Sequence, residues 1–248
     1  MEGLIISSHE VVTSTSDLVF EAAKDGAPHG TAITASVQTK GRGRHGREWF
    51  SPDGNFYISV LFRPQRPRAD WPSLSLISGL ALYLAVADWR DPKDLGLKWP
   101  NDLLYQGGKT AGILLESQDD VVVLGCGVNL NAPPDAVEGW APSALNQPHD
   151  LPPQDLTPVT KDGLLAGFDQ HLTRCYNLWS EAGFAALKSE WLAASAHLHA
   201  RLTIDQGQGR LLDGVFSDLT DDGRLCLRDD NGVDHVLSAG DVMRARLA

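Results

Sequence analysis

The chain has 248 residues and a formal net charge of −11 at pH 7, with 42% hydrophobic and 21% charged residues. It is long enough for one large domain, or for one large and one small domain, and its composition is ordinary for a globular protein. The acidic balance argues against a nucleic-acid binder, because such proteins present a basic face.

Targeting and redox signals are few. The longest apolar run, residues 80–89, is shorter than the roughly 20 residues that cross a bilayer, and the first residues lack the regions of a secretory signal. Cys126, Cys175 and Cys226 are far apart and odd in number, which favours neither a disulfide framework nor a CxxC metal site. We therefore expect a cytoplasmic protein without a membrane partner.

In chain order, the first predicted element is a helix over residues 17–24. A run of hydroxyl residues, 13–16, precedes it as the N-cap, and Gly26 suits its end. Two strands are predicted next, over residues 31–38 and 56–62. The second is apolar almost throughout, which predicts burial on both faces.

The middle of the chain alternates helices and strands. A helix is predicted over residues 72–89, with proline in its first turn and an apolar stripe along one side. Strand-like segments follow at 96–99, 110–116 and 121–129. Thr160 is a candidate cap for a third helix, whose predicted inward residues are Leu164, Leu165, Phe168, Leu172, Cys175 and Trp179. A shorter helix is predicted from Phe184 past Trp191.

Beyond about residue 200 the pattern changes to short strands. Asp-Asp-Gly at 221–223 and Asp-Asn-Gly at 230–232 lie between apolar runs, which is typical of hairpins. We predict a small β-barrel at residues 200–248, appended to an α+β domain at residues 1–199.

One segment concentrates positive charge. Residues 40–47 hold four of the 21 Lys and Arg residues, interleaved with three glycines. Guanidinium groups on a flexible backbone can form bidentate bonds to phosphate or carboxylate. The alternatives are a solvated flexible loop and a nucleic-acid patch. A P-loop is not expected, since GxxxxGK(S/T) is absent.

Three weaker motifs follow. Within residues 98–103, the segment 99–102 predicts a turn that displays polar side chains between two short strands, and ordinary turn chemistry is the alternative. Lys109 precedes an apolar strand in which Gly112 leaves room for a ligand against the backbone. A buried strand ends in small and amide residues at 125–131. The alternative for Lys109 is an ordinary lysine at a strand edge. The alternative for residues 125–131 is an ordinary strand terminus.

The order and spacing of these segments closely resemble the biotin protein ligases. The matching segments are Ser14-Thr15-Ser16, Gln38, GRGRHGREW with SPDGNFYIS, KWPNDLL, KTAGILLE and GCGVNLN, over roughly residues 10–131. The resemblance implies an α+β fold with a mixed β-sheet flanked by helices, as in the biotin/lipoate ligases and class II aminoacyl-tRNA synthetases. It also implies a small C-terminal SH3-like β-barrel.

The resemblance further implies an activity. Such enzymes activate biotin with ATP to biotinyl-5′-AMP, with Mg²⁺ on the polyphosphate. They then transfer biotin to one lysine of the biotin carboxyl carrier protein of acetyl-CoA carboxylase or a related carboxylase. A homodimer is left open by the resemblance.

Roles for individual residues follow from the same resemblance. The catalytic residues it implies are Lys109, Arg44 and Asp102, the last as a candidate base in transfer. The biotin-binding residues are Ser14, Thr15, Ser16, Gln38, Gly41, Arg42, Gly43, Arg44, Lys109 and Gly112. The ATP- and adenylate-binding residues are Arg42, Arg44, Arg47, Trp49, Asn101, Lys109 and Asn129. No metal ligands are identified.

Two positions depart from the family pattern. Ser16 stands where asparagine is common, so one ligand hydrogen bond is lost or rebuilt, and His45 replaces a basic residue. The first motif begins near residue 13, which leaves no room for a DNA-binding domain before it. We therefore expect no DNA partner.

Three rival functions differ in class. A lipoate–protein ligase or octanoyltransferase would share the fold but lack the GRGRxGR run. A degenerate, non-enzymatic binder is disfavoured by the presence of Lys109 and the three loop arginines. A nucleotide-binding regulator is disfavoured by the serine-threonine cluster at residues 14–16.

Overall fold

The computed structural model describes residues 1–133, 141–147, 157–207, 209–238 and 240–246. Its larger sheet has seven strands in the order β1-β2-β3-β7-β6-β5-β4. β1 pairs parallel with β2, and the other neighbours pair antiparallel, so the sheet is mixed as predicted. These strands are β1 (Ile5–Val12), β2 (Thr31–Gln38), β3 (Phe56–Phe62), β4 (Leu95–Lys98), β5 (Asp102–Tyr105), β6 (Gly108–Gln118) and β7 (Val121–Val128).

Helices cover both faces of this sheet. They are α1 (Thr15–Lys24), α2 (Leu74–Ala87), α3 (Lys161–Ala182) and α4 (Lys188–Ala193). α2 and α3 pack on the face that carries Ile58 and Val60 of β3, within the large core. α1 packs on the opposite face, where Leu61 of β3 joins Val19 and Phe20. This separation follows from the alternation of side chains along a strand.

The strand β1 was not predicted. Seven of its eight residues are exposed, and Ile5 and Val11 are 57% and 63% exposed. It lies at the edge of the sheet. A strand without a buried face has no alternating pattern, and its pairing with β2 alone defines it.

The predicted second helix is shorter and more deeply buried than expected. A 3₁₀ helix, Arg68–Ser73, contains Pro72, and α2 begins only at Leu74. Most of α2 is buried, so it lacks a single apolar stripe. Together the two span Arg68–Ala87, 20 residues that contain an 18-residue window with a mean hydropathy of 1.3. This stretch has the length and apolarity of a membrane span, which corrects the estimate from residues 80–89. However, 67% of that 18-residue window is buried in the protein, as in an ordinary core helix.

The predicted N-cap of α3 forms its capping hydrogen bond, whereas that of α1 does not. Thr160 caps α3, and its side chain accepts a hydrogen bond from the Gly163 amide, as predicted. Ser14 is the N-cap of α1 but makes no capping hydrogen bond with its side chain. The predicted inward residues of α3 are buried except Leu165, which is half-buried.

The C-terminal part forms a second sheet with the order β11-β10-β9-β8-β12 and antiparallel pairing, in keeping with a small SH3-like domain. Its strands are β8 (Arg201–Asp205), β9 (Leu211–Leu219), β10 (Leu225–Arg228), β11 (Asp234–Leu237) and β12 (Asp241–Arg246). Both predicted hairpins are confirmed, with Gly223 and Gly232 at φ of 87° and 77°. The boundary at residue 199 stays a prediction, since one hydrophobic core joins both sheets.

Candidate active site

A cleft of about 600 Å³ lies on the α1 face of the larger sheet. Its walls come from the start of α1, the loop at residues 41–49, the strands β6 and β7, and β12 of the second sheet. The structure brings nearly all predicted site residues together here: Ser14, Thr15, Ser16, Gln38, Arg42, Gly43, Arg44, Arg47, Trp49, Asn101, Asp102, Lys109, Gly112 and Asn129 line it. Gly41 is not among the lining residues. A Cβ at this glycine would lie 2.5 Å from the Trp49 carbonyl oxygen, so it supports the loop instead.

One end of the cleft is a cluster of hydroxyl groups. Ser59 of β3 is fully buried, and its Oγ lies 2.7 Å from Thr15 Oγ1 and 3.0 Å from Ser16 Oγ. The Thr15 amide and hydroxyl both donate to Gln38 Oε1, over 2.9 and 3.0 Å. Gln38 Nε2 in turn donates to Ser51 Oγ over 3.1 Å. The cluster offers donors and acceptors held in fixed positions.

Sequence reasoning missed Ser59 as a site residue. The available signal was a lone hydroxyl within the otherwise hydrophobic strand Phe56–Phe62. Buried polar groups need hydrogen-bonding partners, so such a residue marks a polar surface behind the strand. The partners themselves, Thr15 and Ser16, are 44 and 43 residues away in the chain.

Two lysines that line the cleft contact the same carboxylate. Lys109 Nζ lies 2.7 Å from Asp102 Oδ1, and Lys98 Nζ lies 3.3 Å from Asp102 Oδ2. The side chains of Lys98 and Asp102 are each only 9% exposed, whereas that of Lys109 is 32% exposed. Asp102 is the first residue of β5, so the predicted turn ends one residue earlier, at Asn101.

Backbone pairing fixes the position of Lys109. Its amide donates to the Ala141 carbonyl over 2.8 Å, and its carbonyl accepts from the Ser143 amide over 2.9 Å. Asn129, which is 2% exposed, donates from Nδ2 to the Ser143 carbonyl over 3.2 Å. Asn129 Oδ1 is buried and accepts no hydrogen bond within the described part of the chain. It is therefore a candidate acceptor for a ligand in the cleft.

The loop at residues 41–49 lies along the cleft, with its stem near α1 and Trp49 over the strands β6 and β7. Its stem is paired at Arg42 and Glu48, and its tip is a 3₁₀ turn, Arg44–Gly46, with His45 at φ of 58°. Arg44 Nη1 donates to Asn101 Oδ1 over 3.4 Å and to the Gly240 carbonyl over 3.5 Å. The loop tip thereby contacts the turn between β4 and β5 and the residue that precedes β12 of the second sheet.

Two paired glycines form a flat surface under Trp49. Gly112 of β6 is the register partner of Gly127 of β7. A Cβ at Gly127 would lie 2.4 Å from Trp49 Nε1, and one at Gly112 would lie 3.0 Å from the indole ring. Lys109 Nζ lies 5.5 Å from the centroid of the same ring. Only glycines allow a flat ring to lie this close to the strands.

The second sheet also contributes to the cleft. Val242 and Met243 of β12 are among its lining residues. Neither was singled out from the sequence, where they lie far from every motif. Within the described ranges, no group of three or more His, Cys, Asp or Glu residues could hold a metal ion.

Comparisons with family models match two parts of the chain. Residues 8–130 match the biotin/lipoate A/B protein ligase family, and residues 203–244 match the biotin protein ligase C-terminal domain. A biotin–acetyl-CoA-carboxylase ligase from Mycobacterium tuberculosis is 35% identical over 238 residues, covering 94% of this chain and 86% of the relative. One from Paracoccus denitrificans is 36% identical and covers 79% of this chain and 83% of the relative.

Solved structures agree with these matches. The biotin protein ligase from Aquifex aeolicus in complex with biotin and ATP has a TM-score of 0.79 at 23% identity, covering 98% of this chain and 99% of that one, and supports the fold. The ligase from Leishmania major in complex with biotinyl-5-AMP has a TM-score of 0.64 at 27% identity, covering 94% and 98%. The chain therefore belongs to the biotin/lipoate A/B protein ligase family and, within it, to the biotin protein ligases.

Proposed function

We propose that this chain is an ATP-dependent ligase that converts biotin to biotinyl-5′-AMP. It then transfers biotin to a lysine of the biotin carboxyl carrier protein of acetyl-CoA carboxylase or a related carboxylase. The observation that carries the proposal is that one cleft brings together the hydroxyl cluster, the two lysines on Asp102 and the glycine-arginine loop.

The hydroxyl cluster suits the polar rings of biotin. A ureido group presents one carbonyl acceptor and two N–H donors, and hydroxyl and amide groups can satisfy both kinds. Ser16, in place of the usual asparagine, bonds to Ser59, so a hydroxyl pair takes over part of that surface. The Trp49 indole occupies the space above Gly112 and Gly127, so this ring forms a wall beside the hydroxyl cluster.

In the first step, a biotin carboxylate oxygen bonds to the α-phosphorus of ATP while the bond to the pyrophosphate oxygen breaks. Two anions must approach each other, so positive groups at the reacting centre lower the barrier. Lys109 fits this role because it lines the cleft, is held on Asp102 and is partly exposed. Arg44 and Arg47 of the loop fit the phosphates and the departing pyrophosphate.

In the second step, the acceptor lysine nitrogen bonds to the biotinyl carbonyl carbon and AMP leaves. The amine must give up a proton. Asp102 is the candidate acceptor for it. Both carboxylate oxygens contact lysine ammonium groups, so the acceptor amine would take over one of these contacts before Asp102 receives the proton.

Mg²⁺ belongs to this proposal as part of the MgATP substrate. Asp102, which lines the cleft, is already engaged by two lysines. Mg²⁺ commonly retains water and binds through substrate phosphates. A cytoplasmic location, a homodimer and the absence of a DNA partner remain predictions.

The test is exchange of labelled pyrophosphate into ATP, with biotin and lipoate compared side by side. We expect exchange with biotin and background levels with lipoate or without acid. Exchange with lipoate alone would reassign the chain to the lipoate ligases. Binding of biotin without any exchange would identify a non-enzymatic binder.

A further inference from the structure

Arg42 lines the cleft, and its guanidinium also contacts two carboxylates. Its Nη2 lies 2.8 Å from Asp17 Oδ1 in the first turn of α1, and 3.2 Å from Glu116 Oε2 on β6. The pKa of the Arg42 guanidinium is raised, mainly by the hydrogen bond to Asp17. The negative charge of Glu116 raises it further. Residue 42 therefore ties one side of the loop to two separate elements. We call Asp17, Arg42 and Glu116 the Arg42 cluster.

The cluster lies at the stem of the loop. Arg42 pairs with Glu48 across the stem, the Gly43 amide donates to the Arg47 carbonyl over 2.7 Å, and the Trp49 amide donates to the Gly41 carbonyl over 2.9 Å. Since the stem is a narrow paired ribbon, holding residue 42 restrains the whole loop, including the tip that carries Arg44.

We propose that Asp17 and Glu116 are positioning residues of the ligase. Through Arg42 they hold the loop stem against α1 and β6, and so slow the opening of the loop over bound biotinyl-5′-AMP. The function of this restraint rests on the proposed ligase activity. Neither carboxylate touches the reacting atoms, so neither is a catalytic residue.

The Arg42 cluster can stabilise the closed loop only modestly. The side chains of Asp17, Arg42 and Glu116 are 42%, 36% and 31% exposed. Ion pairs this exposed contribute modestly and weaken in salt, so loss of one carboxylate should increase loop opening about two- to fivefold. Exposed charges suit such a restraint because it must break in every catalytic cycle.

The first experiment uses protein without added substrate. Trypsin cleavage after Arg44 and Arg47 is followed by mass spectrometry, since the rate reports the open fraction of the loop. We expect Asp17→Asn and Glu116→Gln each to be cut about two- to fivefold faster at low salt. Higher salt should accelerate cleavage of the wild-type protein more than that of the variants. Asp17→Glu should restore the slow rate.

Controls separate the cluster from general stability. Asp230→Asn removes an exposed pair with Arg201 in the second sheet, at 2.6 Å, and should leave loop cleavage unchanged. Asp17→Asn also removes a favourable charge from the first turn of α1, whereas Glu116→Gln does not. Both variants must therefore show the effect. Wild-type cleavage rates in both, at every salt concentration, would overturn the proposal.

A second experiment links the restraint to the enzyme. Release of labelled biotinyl-5′-AMP should be about two- to fivefold faster in both variants, with a smaller change in pyrophosphate exchange. Faster cleavage with unchanged release would refute the catalytic role of the restraint. Absence of biotin-dependent exchange in the wild-type protein would refute the proposed function, while the cleavage result would still test the Arg42 cluster.

Discussion

Lys109 shows how one residue combines local and distant constraints. Its backbone is paired with residues 141–143, and its ammonium is held on Asp102. In the proposed reaction, a lysine fixed in this way would need little reorganisation when charge develops at phosphorus. The sequence predicted a lysine at the mouth of a strand. Its partner carboxylate is contributed by the neighbouring strand β5, which the motif alone did not reveal.

The first residue-scale prediction concerns that lysine. Lys109→Ala should reduce the rate of adenylate formation by about 100-fold or more, by analogy with loss of one preorganised charge-stabilising donor. Single-turnover formation of biotinyl-5′-AMP measures it, with circular dichroism to confirm folding. Lys93→Ala, which removes a lysine paired with Asp91 on the surface, serves as the control. Near-normal adenylate formation in Lys109→Ala would contradict the assigned role.

At the scale of elements, the sequence predicted those helices and strands whose formation depends on neighbouring residues in the chain. The hairpins at 221–223 and 230–232, the buried strand β3 and the cap of α3 all depend on neighbouring residues, and all were found where predicted. β1 depends on pairing with β2, and its exposed residues left no pattern to detect. α2 lost its one-sided stripe because the core surrounds it.

The element-scale prediction concerns α3, which packs on α2 in the large core. Thr160→Ala removes the hydroxyl that accepts from the Gly163 amide at 3.1 Å, and should lower the free energy of unfolding by about 1 kcal/mol. Thr160→Ser keeps the hydroxyl and should lie close to wild type. Urea denaturation measures both. Equal stability of the alanine and serine variants would show that the cap contributes nothing.

At the scale of the whole molecule, the segment that leads from α4 into the second sheet pairs with β4 of the larger sheet. The Leu97 amide of β4 donates to the Ala194 carbonyl over 2.8 Å, and the Leu97 carbonyl accepts from the Ala196 amide over 2.9 Å. His197 is buried in this segment, 7% exposed. Burial, and then the positive charge of Lys98, lower the pKa of His197 to about 4.

The whole-molecule prediction is a dependence of stability on pH. In the unfolded chain His197 takes up a proton near its ordinary pKa of 6.5, whereas in the folded protein it does so only near 4. The unfolded state therefore binds more protons between these values, and His197 costs stability as pH falls from 6.5 to 4, up to about 3 kcal/mol.

Urea denaturation between pH 7 and pH 4 tests this dependence. His197→Gln should lose less stability than the wild-type protein over that range. The exposed His9 provides the control, since His9→Gln should follow the wild-type curve. Parallel curves for wild type and His197→Gln would contradict the prediction.

Local patterns in the sequence were sufficient to predict most helices and strands, and the order of motifs was sufficient to infer the family. The tertiary structure decided how those residues meet. Arg42 reaches Glu116 across 74 residues of chain, Ser59 meets Thr15 across 44, and β12 places Val242 beside the cleft. The physical reason is that periodicity and caps act within one or two turns of the chain, whereas strand order in the sheet brings together side chains that no local pattern relates.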